Sequence, residues 1–163
     1  MKKIYMIGIG GKTENSNIEV HDLRFVIAEN IDETHEMIKN TWFGIPSKLH
    51  MDSYTIIDGL DNHRIHIKDQ VSQDDLSLYM VNFGGYIKED YFEWHDVVLV
   101  LGLDEKDARK KAMDSLSKDV LMLHVDQVVS INEVVQGEGY IHLETSHDTF
   151  SLKPTWQGYT KIK

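Results

Sequence analysis

The sequence predicts an α+β fold built from two tandem copies of a ββαββ unit, mainly antiparallel sheet, packed as one pseudo-two-fold domain. Three matches predict it. Ile-Tyr-Met-Ile-Gly-Ile-Gly-Gly from Ile4 returns as Leu-Tyr-Met-Val-Asn-Phe-Gly-Gly from Leu78. Glu19-Val20-His21-Asp22 returns as Glu93-Trp94-His95-Asp96, and Leu49-His50-Met51-Asp52 as Leu123-His124-Val125-Asp126. Tyr5 and Tyr79, His21 and His95, and His50 and His124 each stand 74 positions apart. A constant step across separate motifs is the mark of a repeated folding unit. The expected boundaries are 1–70 for the first repeat, 76–145 for the second, and 146–163 for a C-terminal segment docked on the repeats. A copy of roughly 70 residues is near the size at which a lone core is marginal, so the copies are expected to share one.

Residues 3–9 are β-branched and aromatic and run into Gly10 and Gly11, which reads as a strand. A polar stretch leads to a second strand over 19–28. Asn30 with Glu33 carries the capping-box signature, and Ile31, Thr34, Ile38 and Trp42 follow at helical spacing until Gly44 and Pro46. Residues 54–57 and 63–67 flank Asp58-Gly59-Leu60-Asp61-Asn62 and read as a hairpin. The second copy repeats the order: strands over 78–83 and 93–101, then a helix capped by Asp104 with Ala108, Ala112 and Leu116 on one stripe. A closing hairpin of 128–134 and 140–143 follows, with Gln136-Gly137-Glu138-Gly139 at its tip, where the register slips by two. Residues 69–75 are a polar linker. Phe150, Leu152, Trp156 and Tyr159 make the tail apolar enough to pack.

The chain of 163 residues is 41% hydrophobic and holds no cysteine, so disulfides and thiolate chemistry are excluded. Met1-Lys2-Lys3 before an apolar run is not read as a signal peptide, because the run is short, glycine-rich and recurs in mid-chain. No stretch reaches the ~20 apolar residues of a membrane span, and a cytoplasmic location is expected. A formal net charge of -10, with the basic residues scattered, argues against nucleic acid, whose phosphates need a basic face. Lys106, Arg109, Lys110 and Lys111 cluster, but among Asp104, Glu105 and Asp107, as on a solvated helix face. The expected partner is a small molecule or a protein, with self-association into a homo-oligomer compatible. No cofactor is expected.

Gly10-Gly11-Lys12-Thr13 invites a phosphate-loop reading. It fails because Met6 stands where that loop needs its first glycine, and because a strand rather than a helix follows. The matched polar residues are the candidates for a site or a structural network: Glu19, His21, Asp22, His50 and Asp52, with Glu93, His95, Asp96, His124 and Asp126. Residues two apart on a strand share a face, so Glu19 and His21 align with Leu23, Phe25 and Ile27. His21 and His95 are therefore expected half-buried and in need of partners, which His50, Asp52 and their counterparts supply. Three readings compete. The first is a structural hydrogen-bond network, favoured because each copy must satisfy its own fold. The second is a divalent-metal site of imidazole and carboxylate ligands. The third is acid–base catalysis by a His–Asp pair. On the first reading no metal is expected. Residues that differ between copies mark the alternative of a ligand cleft: Arg24, His35, Trp42 and Phe43 in the first, Tyr86, Tyr91, Phe92 and Trp94 in the second.

Tyr5 to Gly11, Glu19 to Asp22, Trp42-Phe43-Gly44 and the run from Leu49 to Tyr54 together resemble a bacterial family catalogued as domain of unknown function 1543. The resemblance covers both repeats, and Trp156-Gln157-Gly158-Tyr159 resembles that family's tail. The second copy departs, with Leu116-Ser117-Lys118 for Trp-Phe-Gly and Gln127-Val128 for Ser-Tyr, which would confine any role of those residues to the first copy. The resemblance implies the fold and an intracellular bacterial origin, and no activity. A non-enzymatic binding or interaction module is the preferred reading. The alternative is a metal-assisted hydrolase or related enzyme using Glu19, His21, His50 and Asp52 or their second-copy equivalents.

Overall fold

The computed structural model describes residues 1–116 and 120–162. It divides into two compact units, Met1–Ser72 with Val135–Lys163, and Gln73–Val134. The first unit is a mainly antiparallel α+β assembly. Its strands β1 (Lys3–Gly11), β2 (Val20–Ala28) and β3 (His50–Ile57) form a sheet with β1 at the centre. Alternation along β1 sends Tyr5, Ile7 and Ile9 to the face covered by helix α1 (Ile31–Thr41), where Ile38 and Trp42 close the core with Val26, Leu49 and Met51. Asn30 caps α1 by accepting from the Glu33 N–H, and the Glu33 carboxylate accepts in return from the Glu29 N–H. The capping box thus closes one residue earlier than its usual form and still satisfies two otherwise unpaired donors.

The second unit uses the same device. For that unit the strands are β5 (Ser77–Tyr86), β6 (Trp94–Gly102) and β7 (Leu121–Ser130), ordered β6-β5-β7, with helix α2 (Glu105–Ser115) and the one-turn helix α3 (Ile131–Val134). Tyr79, Val81, Phe83, Val100, Ala108 and Ala112 make its core. Tyr79 pairs with Val100 as Tyr5 pairs with Val26, and Gly84 with His95 as Gly10 with His21. Asp104 caps α2 by accepting from the Asp107 N–H, and Asp107 accepts from the Leu103 N–H.

The expected hairpins do not form. Between β3 and β4 (Gly59–Lys68) the chain only bends, at Asp58, and β4 pairs instead with β8 (Tyr140–Phe150). Residues 128–134 are the end of β7 and α3, so the second expected hairpin is replaced as well. The cause is competition for sheet edges. The tail strand β9 (Trp156–Lys161) takes the outer edge of β3, Tyr54 opposite Trp156, and seats Ile162 in the first core. With that edge occupied, β4 and β8 satisfy their backbone groups on each other. No helix among the described residues is long and apolar enough to cross a membrane.

Candidate metal centre

Gly10 is the pivot of the site. It lies opposite His21 of β2 on one side and opposite His50 of β3 on the other. Partners directly across a sheet share a face, so both imidazoles project from the side away from α1. Only a residue without a side chain fits between them: a Cβ on Gly10 would lie 2.7 Å from His50 Nε2 and 2.9 Å from His21 Cδ2. Next to this row the register of β1 and β3 shifts. Ile9 pairs with Met51 and Gly8 with Ser53, leaving Asp52 as the extra residue of a β-bulge. The bulge sets the Asp52 carboxylate 3.4 Å from His50 Nε2 and 3.6 Å from His21 Nε2. Glu19, one residue before β2, brings Oε2 to 3.8 Å from His50 Nε2.

His50 is the anchor. Its side chain is 2% exposed, its ring lies 4.5 Å from that of Tyr159 on β9, and its Nδ1 is 3.1 Å from the Lys48 carbonyl oxygen. That carbonyl can only accept, so Nδ1 carries the proton of the neutral ring and the Nε2 lone pair faces Glu19, His21 and Asp52. A histidine oriented this way by a backbone carbonyl is arranged as metal-ligating histidines are. Ligand atoms of Glu19, His21 and His50 all lie within 4.8 Å of one another.

The second unit repeats the constellation. Gly84 lies between His95 and His124. The register shift between Asn82 and Phe83 makes Asp126 the bulged residue. His124 Nε2 stands 3.0 Å from Asp126 and 3.3 Å from Glu93, with His95 Nε2 3.6 Å from Glu93 and 3.7 Å from Asp126. The Nδ1 bond of His124 to the Met122 carbonyl, at 2.9 Å, holds its pKa above the ordinary histidine value, and the carboxylates of Asp126 and Glu93 add to this. The two sites differ in cover. His124 is 45% exposed against 2% for His50, because β9 and Tyr159 shield β3, while the outer edge of β7 pairs with no strand among the described residues.

Several expectations are corrected by these positions. His21 and His95 are more open than a core-facing row implies; their side chains are 62% and 52% exposed. Burial along β2 rises only from Phe25 onward, where Gln136 bonds to the backbone of Phe25 and Ile27, and that cover stops short of His21. Asp22 and Asp96 alternate to the opposite face. Asp22 accepts from the Leu23 N–H and pairs with Arg24, and Asp96 accepts from the Val97 N–H. Trp42 is a core residue whose Nε1 donates to the Ile45 carbonyl, and Phe43 lies exposed against it. Tyr86, Tyr91 and Phe92 are exposed, whereas Trp94 packs on the second core. Ser117 and Lys118 lie outside the described residues. Gly10, Gly84 and Tyr159 belong to the site and were not among its sequence-predicted members. The recurrence of Gly-Gly opposite each x-His pair was the available signal, legible only once the strand register is known.

The chain has likenesses elsewhere. A crystal structure of a protein Il1583 from Idiomarina loihiensis is similar over 100% of this chain and 99% of its own, with 27% identity and a TM-score of 0.81. No curated protein matches the sequence. Residues 16–67, the stretch that holds Glu19, His21, His50 and Asp52, match the model of a family described as Domain of Unknown Function (DUF1543).

Proposed function

We propose that this protein is a binding module for a divalent transition-metal ion such as zinc, held by Glu19, His21 and His50 with Asp52 beside them. The constellation of Glu93, His95, His124 and Asp126 forms a second, more exposed site of the same kind. Both follow from reading the chain as two copies of one ββαβ core. The spacing of donors in the first site carries the proposal. Contacts of 3.4, 3.6 and 3.8 Å are too long for good hydrogen bonds, which for these groups run about 2.7–3.2 Å. Ligands roughly 2.0–2.2 Å from a tetrahedral ion stand about 3.3–3.6 Å apart, and Glu19 Oε2 and His50 Nε2, at 3.8 Å, are within a small side-chain adjustment of that spacing. The oriented Nε2 of His50 supports the same conclusion, since it directs a lone pair into the cluster.

A metal-assisted hydrolase is the second reading, favoured by the exposure of His21 at 62%. Three protein ligands and a position open to water form the arrangement of catalytic zinc sites, with Asp52 placed to take a proton from bound water. The test is elemental analysis of protein purified without a histidine tag, followed by zinc titration calorimetry after chelation. About one tightly bound equivalent, abolished by His50→Ala, is expected. Absence of saturable zinc binding, or binding unchanged in His50→Ala, would overturn the reading. Hydrolysis of a chromogenic ester that is lost in Asp52→Asn while zinc is retained would select the enzyme.

A further inference from the structure

A second feature of the first unit lies at the other end of β1. Ile4 is six residues from Gly10, which on an extended strand is roughly 20 Å away. There, β1, β3, β4 and the segment after β8 enclose a cavity of about 710 Å³. That volume is in the range of small-molecule sites, commonly about 300–1,000 Å³. Its floor is aliphatic: Ile4, Ile57 and Ile65 are all buried and all line it. Its charged lining reverses the character of the chain. The whole sequence has 17 Lys and Arg against 27 Asp and Glu, yet Lys2, Lys3, Arg64, Lys68 and Lys153 line this cavity, with Asp58 the one acidic lining residue among the described residues.

Not all of that positive charge is available. Arg64 pairs with Asp148 at 2.8 Å, and Lys2 stands 3.6 Å from Glu138. Lys68 and Lys153 form no ion pair among the described residues, so two ammonium groups remain without an ion-pair partner at a cavity with an apolar floor. In a protein of net charge -10, such a local excess of cations attracts an anion against the field of the rest of the chain. The apolar floor rewards a ligand that carries a hydrocarbon portion as well as the charge.

We propose that this cavity binds single-chain aliphatic carboxylates, the carboxylate held by Lys68 and Lys153 and the hydrocarbon chain laid against Ile4, Ile57 and Ile65. The site is independent of the histidine cluster. The experiment is calorimetric titration of the full chain with decanoate below its micelle concentration. Acetate and decyltrimethylammonium serve as probes of the charge alone and the chain alone. Saturable binding of one decanoate is expected, at least tenfold tighter than either control. The double variant Lys68→Glu, Lys153→Glu should weaken it at least tenfold with an unchanged melting temperature, and His50→Ala should leave it unaltered. No saturable decanoate binding would overturn the proposal. So would equal binding of decyltrimethylammonium or of acetate, or undiminished binding in the charge-reversal variant. Because the zinc titration and the decanoate titration read different ends of β1, either reading can fail without the other.

Discussion

Gly10→Ala tests the site at its centre with one methyl group. The added Cβ would lie 2.7 Å from His50 Nε2 and 2.9 Å from His21 Cδ2. Ordinary carbon contacts are about 3.5–4.0 Å, so each ring must retreat by roughly 0.6–1.3 Å. His21 is 62% exposed and can swing outward. His50 cannot retreat cheaply, being 2% exposed, bonded through Nδ1 to Lys48 and packed against Tyr159. Overpacking of this kind costs about 1–3 kcal/mol. Replacing glycine within a strand returns roughly 0.5–1 kcal/mol of backbone entropy. The net expectation is a loss of about 0.5–2 kcal/mol. Gly84→Ala is the internal control. Its new Cβ meets Asp126 Oδ2 and His124 Nε2 at 2.8 Å and Glu93 Oε1 at 3.0 Å. Those side chains are 30%, 45% and 31% exposed and can rotate, so its cost should be near zero. For metal the first site should suffer more, since ligand displacements beyond about 0.2 Å spoil coordination. A fall in zinc affinity of about 10–100-fold is expected there. Urea unfolding of both variants, with and without zinc, and zinc calorimetry supply the measurements. If Gly10→Ala unfolds like the parent and keeps its zinc affinity, the His21–Gly10–His50 row is misread.

The exposed and buried histidines should separate in stability. His50→Ala should lose roughly 1–3 kcal/mol, because it removes a buried ring and its bond to the Lys48 carbonyl, whereas His21→Ala should stay within about 0.5 kcal/mol in metal-free protein. Equal losses by chemical denaturation would count against the burial described for the first site. Asp107 predicts an acid limb of stability in the second unit. The Lys111 ammonium, then the Leu103 N–H, hold its carboxyl below the ordinary value, so its folded pKa is depressed. Such a group contributes stability above its unfolded pKa and loses it as the pH falls through the folded value. Melting followed from pH 5 to pH 2 should therefore be flatter in Asp107→Asn than in the parent, and identical curves would remove Asp107 from the cause.

The sequence by itself determined the local grammar of this protein. Strand periodicity placed β1, β2, β5 and β6, cap chemistry at Asn30 and Asp104 placed α1 and α2, and the constant step aligned the Glu-x-His and His-x-Asp pairs. It also put His21 on the face of Leu23 and Phe25, because alternation within a strand is a property of the backbone alone. What strand lies beside what was decided only by the tertiary structure. Backbone donors and acceptors are the same in every strand, so the turn signal near Asp58 could not reveal that β4 pairs with β8 while β9 takes the edge of β3. The same holds within the candidate site. Gly10 reads as a bend until its register opposite both His21 and His50 makes it the floor between two imidazoles. Asp52 joins them only through a bulge that shifts that register by one residue. Burial also reversed between the histidines, since His50 is covered by Tyr159, a residue 109 positions away in the chain. Periodicity describes the face a residue takes on its own element; what stands against that face depends on long-range closure of the chain.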